Sequence, residues 1–232
     1  MTSWIIARAT ARERGLAPLA LTITAALALF ASLSRAADAW AGLTFEVLTL
    51  LLGAGLLADE VESGHAQLVL LRPLTRAQWV GGRLLGAAMV ICGAAVLATV
   101  FGALGAFTRA GWSEMPQRLA VLPLALLPAF AWLATLVAVG ASARGWSNAA
   151  WVIAIWIGWK ILKYAGPIAL RRPDLQTIVD AIDGYFGPQE LLSVPADASR
   201  VERAAWDLFW LFAAWTLAVR LFNLRELARR RA

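Results

Sequence analysis

Residues 84–107 read LLGAAMVICGAAVLATVFGALGAF, 24 consecutive positions without one charged side chain. A bilayer core of roughly 30 Å asks for about 20 mostly apolar residues per helix, so this run is long enough to cross a membrane by itself. Five further stretches fit the same template: 16–33, 39–58, 119–142, 149–170 and 204–222. The second of these carries Glu46 in its interior, whereas the others hold charge only towards their ends. Of the 232 residues, 60% are apolar and the mean hydropathy is +0.67, more hydrophobic surface than one soluble core of this size can hide. The expected fold is therefore all-α, a polytopic membrane protein with six transmembrane helices occupying 16–224.

A cleaved leader would need a short apolar run followed by a small-residue site, which Ala36 and Ala37 after Ser34 imitate. The first run is long enough to span, however, and five more follow it. The net charge of +6 does not point to nucleic acid, because the basic residues flank the apolar runs instead of gathering on one polar face. With a cytoplasmic N-terminus, the inner segments hold Arg8, Arg12, Arg14, Arg72, Arg76, Arg83, Arg144 and the basic tail 225–232. The outer segments hold Arg35, Arg109, Arg118, Arg171, Arg172, Arg200, Arg203 and most of the acids. Positive charge in short inner loops puts both termini in the cytoplasm. Cys92, the single cysteine, lies in mid-span and reads as a small packing residue.

Residues 1–15 place Trp4, Ile5 and Ile6 ahead of Arg8, Arg12 and Arg14, with Pro18 close behind. That pattern reads as a short interfacial helix on the inner leaflet, the alternative being a frayed basic tail. Two connections are long enough for specific work, 59–83 inside and 171–203 outside. In the outer one, Leu175, Ile178, Val179, Ile182 and Phe186 recur at helical spacing while Asp174, Asp180 and Asp183 point elsewhere. Gly184 can end this short amphipathic helix, and Pro188 and Pro195 break the chain after it.

The inner connection runs from Leu56 as LLADEVESGHAQLVLLRPLTRAQWVGGRLLG. Acids come first, at Asp59, Glu60 and Glu62. Then come a break at Gly64, the apolar run 68–71 with Leu70 and Leu71, and Arg72, Pro73 and Arg76. A short helix parallel to the membrane would offer its leucines to a partner or to lipid, with Pro73 ending it. This segment resembles the cytoplasmic coupling loop of type-2 ABC transporter permeases, with Glu62, Gly64, Leu70, Pro73, Arg76 and Gly82 at matching spacing. His65 departs from the small hydroxyl residue usual there, and Arg83 from the usual lysine, a change that keeps the charge at the lipid interface. The six-span layout, the N-terminal helix and the amphipathic element before the last span resemble the same family.

The resemblance implies a permease that pairs with a second permease subunit, identical or not, in the cytoplasmic (inner) membrane of a prokaryote. Each would grip an ABC ATPase subunit through Asp59, Glu60, Glu62, Gly64, His65, Leu70, Leu71, Arg72, Pro73 and Arg76. ATP and Mg would sit on that partner chain, with no cofactor on this one. Lys160 and Lys163, the only lysines, lie in the fifth run and neither follows a glycine, so no Walker A loop is present. One loop histidine supplies neither a nucleophile's base nor a metal set, so this chain is expected not to be an enzyme. An ATPase-coupled scaffold or assembly factor without a transported solute is the alternative, because a docking loop reports the motor and not the cargo.

Glu46 is costly in lipid unless it meets water or a cation, and Lys160 or Lys163 can supply the cation. The three are either candidates for a translocation path or a packing pair. Asp207 and Arg220 lie within reach of the two interfaces and read as positional. Trp40, Trp112 and Trp206 read as outer-interface anchors, and Trp79 and Trp146 as inner ones. Trp132, Trp156, Trp159, Trp210 and Trp215 fall inside the runs. Gly82 and Gly86 form a GxxxG pair that permits close helix approach, a common motif in so small-residue-rich a chain.

Overall fold

In a bilayer a backbone without internal hydrogen bonds has no water to turn to, so apolar runs of this length close their bonds locally as helices. The computed structural model describes residues 2–33, 42–57, 74–110, 115–142, 147–169, 174–183, 187–188, 191 and 198–229. Every regular element among them is helical: α1 Thr2–Gly15, α2 Pro18–Leu33, α3 Gly42–Gly53, α4 Arg76–Ala110, α5 Met115–Ser142, α6 Ser147–Ala169, α7 Asp174–Asp183 and α8 Ala198–Arg229.

Three of these helices are long and apolar enough to cross a membrane, over Arg76–Thr108, Leu124–Ala141 and Ala198–Leu224. A fourth joins them if α1 and α2, bent by 76° at their junction, count as one span. The described residues thus display three or four of the six expected crossings. Residues 34–41, 58–73 and 170–173, which border the other three runs, lie outside the described residues. Over 39–58 the helix is α3, only 12 residues and about 18 Å long at 1.5 Å per residue. It stops at Gly53, and residues 54–57 turn through Gly55, whose φ of 66° lies in the left-handed region. Helix α2 has 16 residues, about 24 Å. Helix α6 has 23 residues, but Lys160 and Lys163 fall within it. At the C-terminal end α8 runs on to Arg229, past the expected limit at 222 and into the basic tail.

Helix α5 is the centre of the bundle, touching α8, α4, α3 and α6. Alanines dominate the buried faces, with Ala87, Ala94, Ala95 and Ala98 on α4 and Ala129, Ala134, Ala138 and Ala141 on α5. Small side chains let helix axes approach, which matters where lipid competes for apolar surface. Leu48, Leu52, Leu57, Ile91 and Leu133 fill the remaining space. The large apolar residues point outward instead: Leu97, Phe101 and Leu104 on α4, Trp151 and Ile155 on α6, Phe209 and Phe212 on α8 are all exposed. Patches of that extent are a liability in water and the natural outer face of a membrane bundle.

The GxxxG pair has a definite use. A Cβ on Gly82 would lie 2.9 Å from Cβ of Ile6, and one on Gly86 would lie 2.5 Å from the carbonyl oxygen of Ala7. Helix α1 therefore sits directly on the α4 backbone. Between the two glycines Arg83 donates to Thr10 Oγ1 at 2.9 Å and to Glu13 Oε2 at 3.2 Å. This corrects the expectation that Arg83 serves as a charge at the lipid interface: its guanidinium is spent on α1. Gly86→Val is expected to lift α1 from α4, since a backbone carbonyl cannot yield as a flexible side chain can; overpacking of this kind costs about 1–3 kcal/mol. Faster tryptic cleavage after Arg8 and Arg12 in the variant would register it, and unchanged cleavage would contradict it.

Candidate functional site

The inner connection enters and leaves the bundle at two fastened points. At the entrance, Ala54, Leu56 and Leu57 are buried, although they belong to a turn. Such a turn carries backbone groups that need partners away from water. Asn148, at the start of α6 and fully buried, provides them. Its Nδ2 donates to the carbonyl oxygens of Gly53 at 3.0 Å and Leu136 at 3.1 Å. Its Oδ1 accepts from the amides of Gly55 at 3.2 Å and Ala149 at 2.8 Å. One side chain thereby ties α3, α5 and α6 together. From the other side Arg14 at the end of α1 donates from Nη1 to the Ala54 carbonyl at 3.2 Å. Gly53 permits the approach, because a Cβ there would lie 2.8 Å from Cδ1 of Leu136.

At the exit, Thr75 and Gln78 form a reciprocal cap on α4. The Gln78 amide donates to Thr75 Oγ1 at 3.2 Å, and the Thr75 amide donates to Gln78 Oε1 at 3.0 Å. This capping box satisfies two otherwise orphaned donors and fixes where the helix begins. Arg76 then donates from Nη1 to Asn223 Oδ1 at 3.0 Å, across to α8. One turn on, Trp79 is 1% exposed and stacks on Phe222 with ring centroids 4.9 Å apart. Trp79 was expected as an anchor at the inner interface; its burial against Phe222 corrects that. The first turns of α4 are held by α8 on one side and by α1 on the other.

Of the residues expected to grip an ATPase, Arg76 lies at this exit point. Asp59, Glu60, Glu62, Gly64, His65, Leu70, Leu71, Arg72 and Pro73 lie outside the described residues. The side chains of Glu46 and Lys160 also lie outside them, although both positions are helical. Lys163 is described, and its partners are on α7. Its Nζ donates to Asp183 Oδ2 at 2.6 Å and lies 3.5 Å from Asp180 Oδ1. Trp159 Nε1 donates to the other oxygen of Asp183 at 2.6 Å. The cation offered to Glu46 thus serves a clamp that holds α7 on α6. Asp207, expected to reach an interface, is instead fully buried on α8, while Arg220 is exposed.

Asn148, Thr75, Gln78 and Asn223 were not singled out from the sequence, and Arg14 was read only as a cation of the interfacial helix. The Thr-x-x-Gln spacing of 75–78 was the one available signal among them. Among the described residues no cluster of three or more His, Cys, Asp or Glu is placed to hold a metal ion. Neither protein-family models nor curated proteins match this chain.

Proposed function

We propose that the chain is the transmembrane permease subunit of a type-2 ABC exporter, with six spans and both termini in the cytoplasm. Two permease chains pair, and each takes an ATPase subunit on its 59–83 connection. The observation that carries the proposal is the fastening at both ends of residues 58–73. A segment transmits force from a soluble motor only if its roots are stiff and joined to more than one helix. At the entrance the root reaches α1, α3, α5 and α6 through Asn148 and Arg14; at the exit it reaches α8 and α1 through Arg76, Trp79 and Arg83. A push on the connection would move helices as a set, as alternating access requires.

The sequence motif supports the same assignment, and the exposed apolar girdle supports the membrane setting. Glu46 and Lys160 stand as candidates for the translocation path, whereas Lys163 is committed to the outer clamp.

The test reads ATP hydrolysis by a candidate ABC ATPase subunit reconstituted with this chain in vesicles. Glu62→Ala and Arg76→Ala are expected to lower the stimulation that the permease gives, each by about tenfold if one charge-assisted contact of about 1.5–3 kcal/mol is lost. Arg220→Ala, exposed on α8, is the control. Full stimulation by both loop variants would contradict the assignment.

A further inference from the structure

Helix α1 uses one face to sit on α4, through Ser3, Ile6, Ala7 and Thr10. The opposite face carries Ile5, Arg8, Arg12 and Leu16 at helical spacing, and all four are exposed. This face borders an open concavity of about 1130 Å³, whose described lining runs along α1 to its 76° junction with α2 and includes Trp4, Ile5, Arg8, Arg12, Glu13 and Leu16. Pockets of roughly 300–1,000 Å³ suffice for drug-sized ligands, so the space admits a larger head-and-chain molecule.

The charge in this elbow is one-sided. Glu13 is engaged by Arg83 at 3.2 Å. Arg8 and Arg12, one turn apart, have no hydrogen-bond or ion-pair partner among the described residues. Two guanidiniums without a partner among the described residues favour an anion with several acceptor oxygens, such as a phosphate. The apolar walls would be idle around a free phosphate. Trp4 and Ile5 are 55% and 62% exposed, and from Leu16 the exposed surface continues along α2 through Leu19, Leu29 and Phe30. A surface that is cationic at Arg8 and Arg12 and apolar on either side of them matches a lipid.

We propose that the elbow between α1 and α2 is a binding site for an anionic glycerophospholipid of the inner leaflet. Arg8 and Arg12 hold its phosphate, and an acyl chain lies against Ile5, Leu16 and Leu19. The lipid fastens α1 from the side opposite α4, and so backs the helix whose Arg14 holds the entrance of the connection. The site depends on the membrane setting of the chain and not on the ATPase, so it stands or falls separately from the exporter assignment.

The full chain, purified in mild detergent, would be delipidated and returned to nanodiscs of phosphatidylglycerol and phosphatidylcholine. Native mass spectrometry then counts the lipid carried on each chain. Phosphatidylglycerol is expected to be retained over phosphatidylcholine, and Arg8→Ala with Arg12→Ala to weaken retention by about tenfold or more, given the attraction of each cation near an anionic surface. Arg8→Lys with Arg12→Lys should restore most of it, and Arg220→Ala should leave it unchanged. Ile5→Ser with Leu16→Ser should also weaken it, which separates a lipid from a free phosphate. Retention unaltered in the double alanine variant, equal retention of both lipids, or release by inorganic phosphate alone would overturn the assignment. All these positions are exposed, and unaltered thermal unfolding of the variants would confirm that the fold is kept.

Discussion

Replacing Asn148 by leucine is expected to lower the thermal unfolding midpoint of the purified protein by roughly 5–15 °C, on the scale of about 2–4 °C per kcal/mol for a chain of this size. The side chain makes four hydrogen bonds, two as donor and two as acceptor. At the membrane average of about 0.6 kcal/mol each, four bonds come to about 2.4 kcal/mol. Leucine also takes the acceptor from the Gly55 and Ala149 amides in a buried site, where an orphaned group costs about 1–3 kcal/mol, whereas the Gly53 carbonyl keeps the Leu56 amide. A total of about 2–4 kcal/mol follows once part of that cost is relieved by relaxation. Asn148→Asp is a sharper variant of nearly the same volume: a carboxylate would turn a second acceptor towards two carbonyl oxygens that need a donor. It should destabilise at least as much as leucine. Chymotrypsin should also gain access at Leu56 and Leu57, which are now buried. An unchanged midpoint with those sites still protected would show that the turn holds without Asn148.

The largest single loss is expected from Trp79→Ala, about 3–5 kcal/mol for truncating a large buried aromatic. Trp79 fills the space between α4 and α8, and its stack on Phe222 adds to simple burial. Trp79→Phe should recover much of the loss because a ring remains against Phe222. Phe222→Ala should cost nearly as much, and the double alanine variant less than the sum, since each change removes the same contact. The comparison separates a specific stack from general apolar filling. Strict additivity of the two losses in thermal unfolding would argue that the rings do not act as a pair.

Much of the helical layout was legible because hydropathy is a property of composition alone. Residues 84–107 needed no partner to be read as a membrane helix, and α4 covers them. The break in the second run was harder to see, since 47–58 is apolar on both sides of Gly53 and Gly55. Hydropathy does not register a backbone that turns inside the bundle. Those two glycines were the available sign: one allows contact with Leu136, and the other adopts a positive φ.

The site was legible only where a short-range rule applies. Thr75 and Gln78 obey the capping-box spacing, which Pro73 overshadowed. Trp79 and Arg83 looked like interface residues because lipid is the default neighbour of a residue at the end of a span. Their actual partners, Phe222 on α8 and Thr10 on α1, are distant along the chain, and no local pattern reveals them. Asn148 drew no notice for the same reason. Lys163 shows the limit in another form. A buried cation calls for an acid, but Glu46 and Asp183 were both available, and Asp183 is the partner observed.

The most direct test of the central claim is the composition of the particle that the chain forms in its own membrane. The protein would be co-expressed with a candidate ABC ATPase subunit, extracted in mild detergent, captured through a tag on this chain alone, and weighed by light scattering. The expected particle holds two permease chains and two ATPase chains, and it hydrolyses ATP. Elution of this chain free of any ATPase, with the ATPase folded and active in the unbound fraction, would contradict the claim.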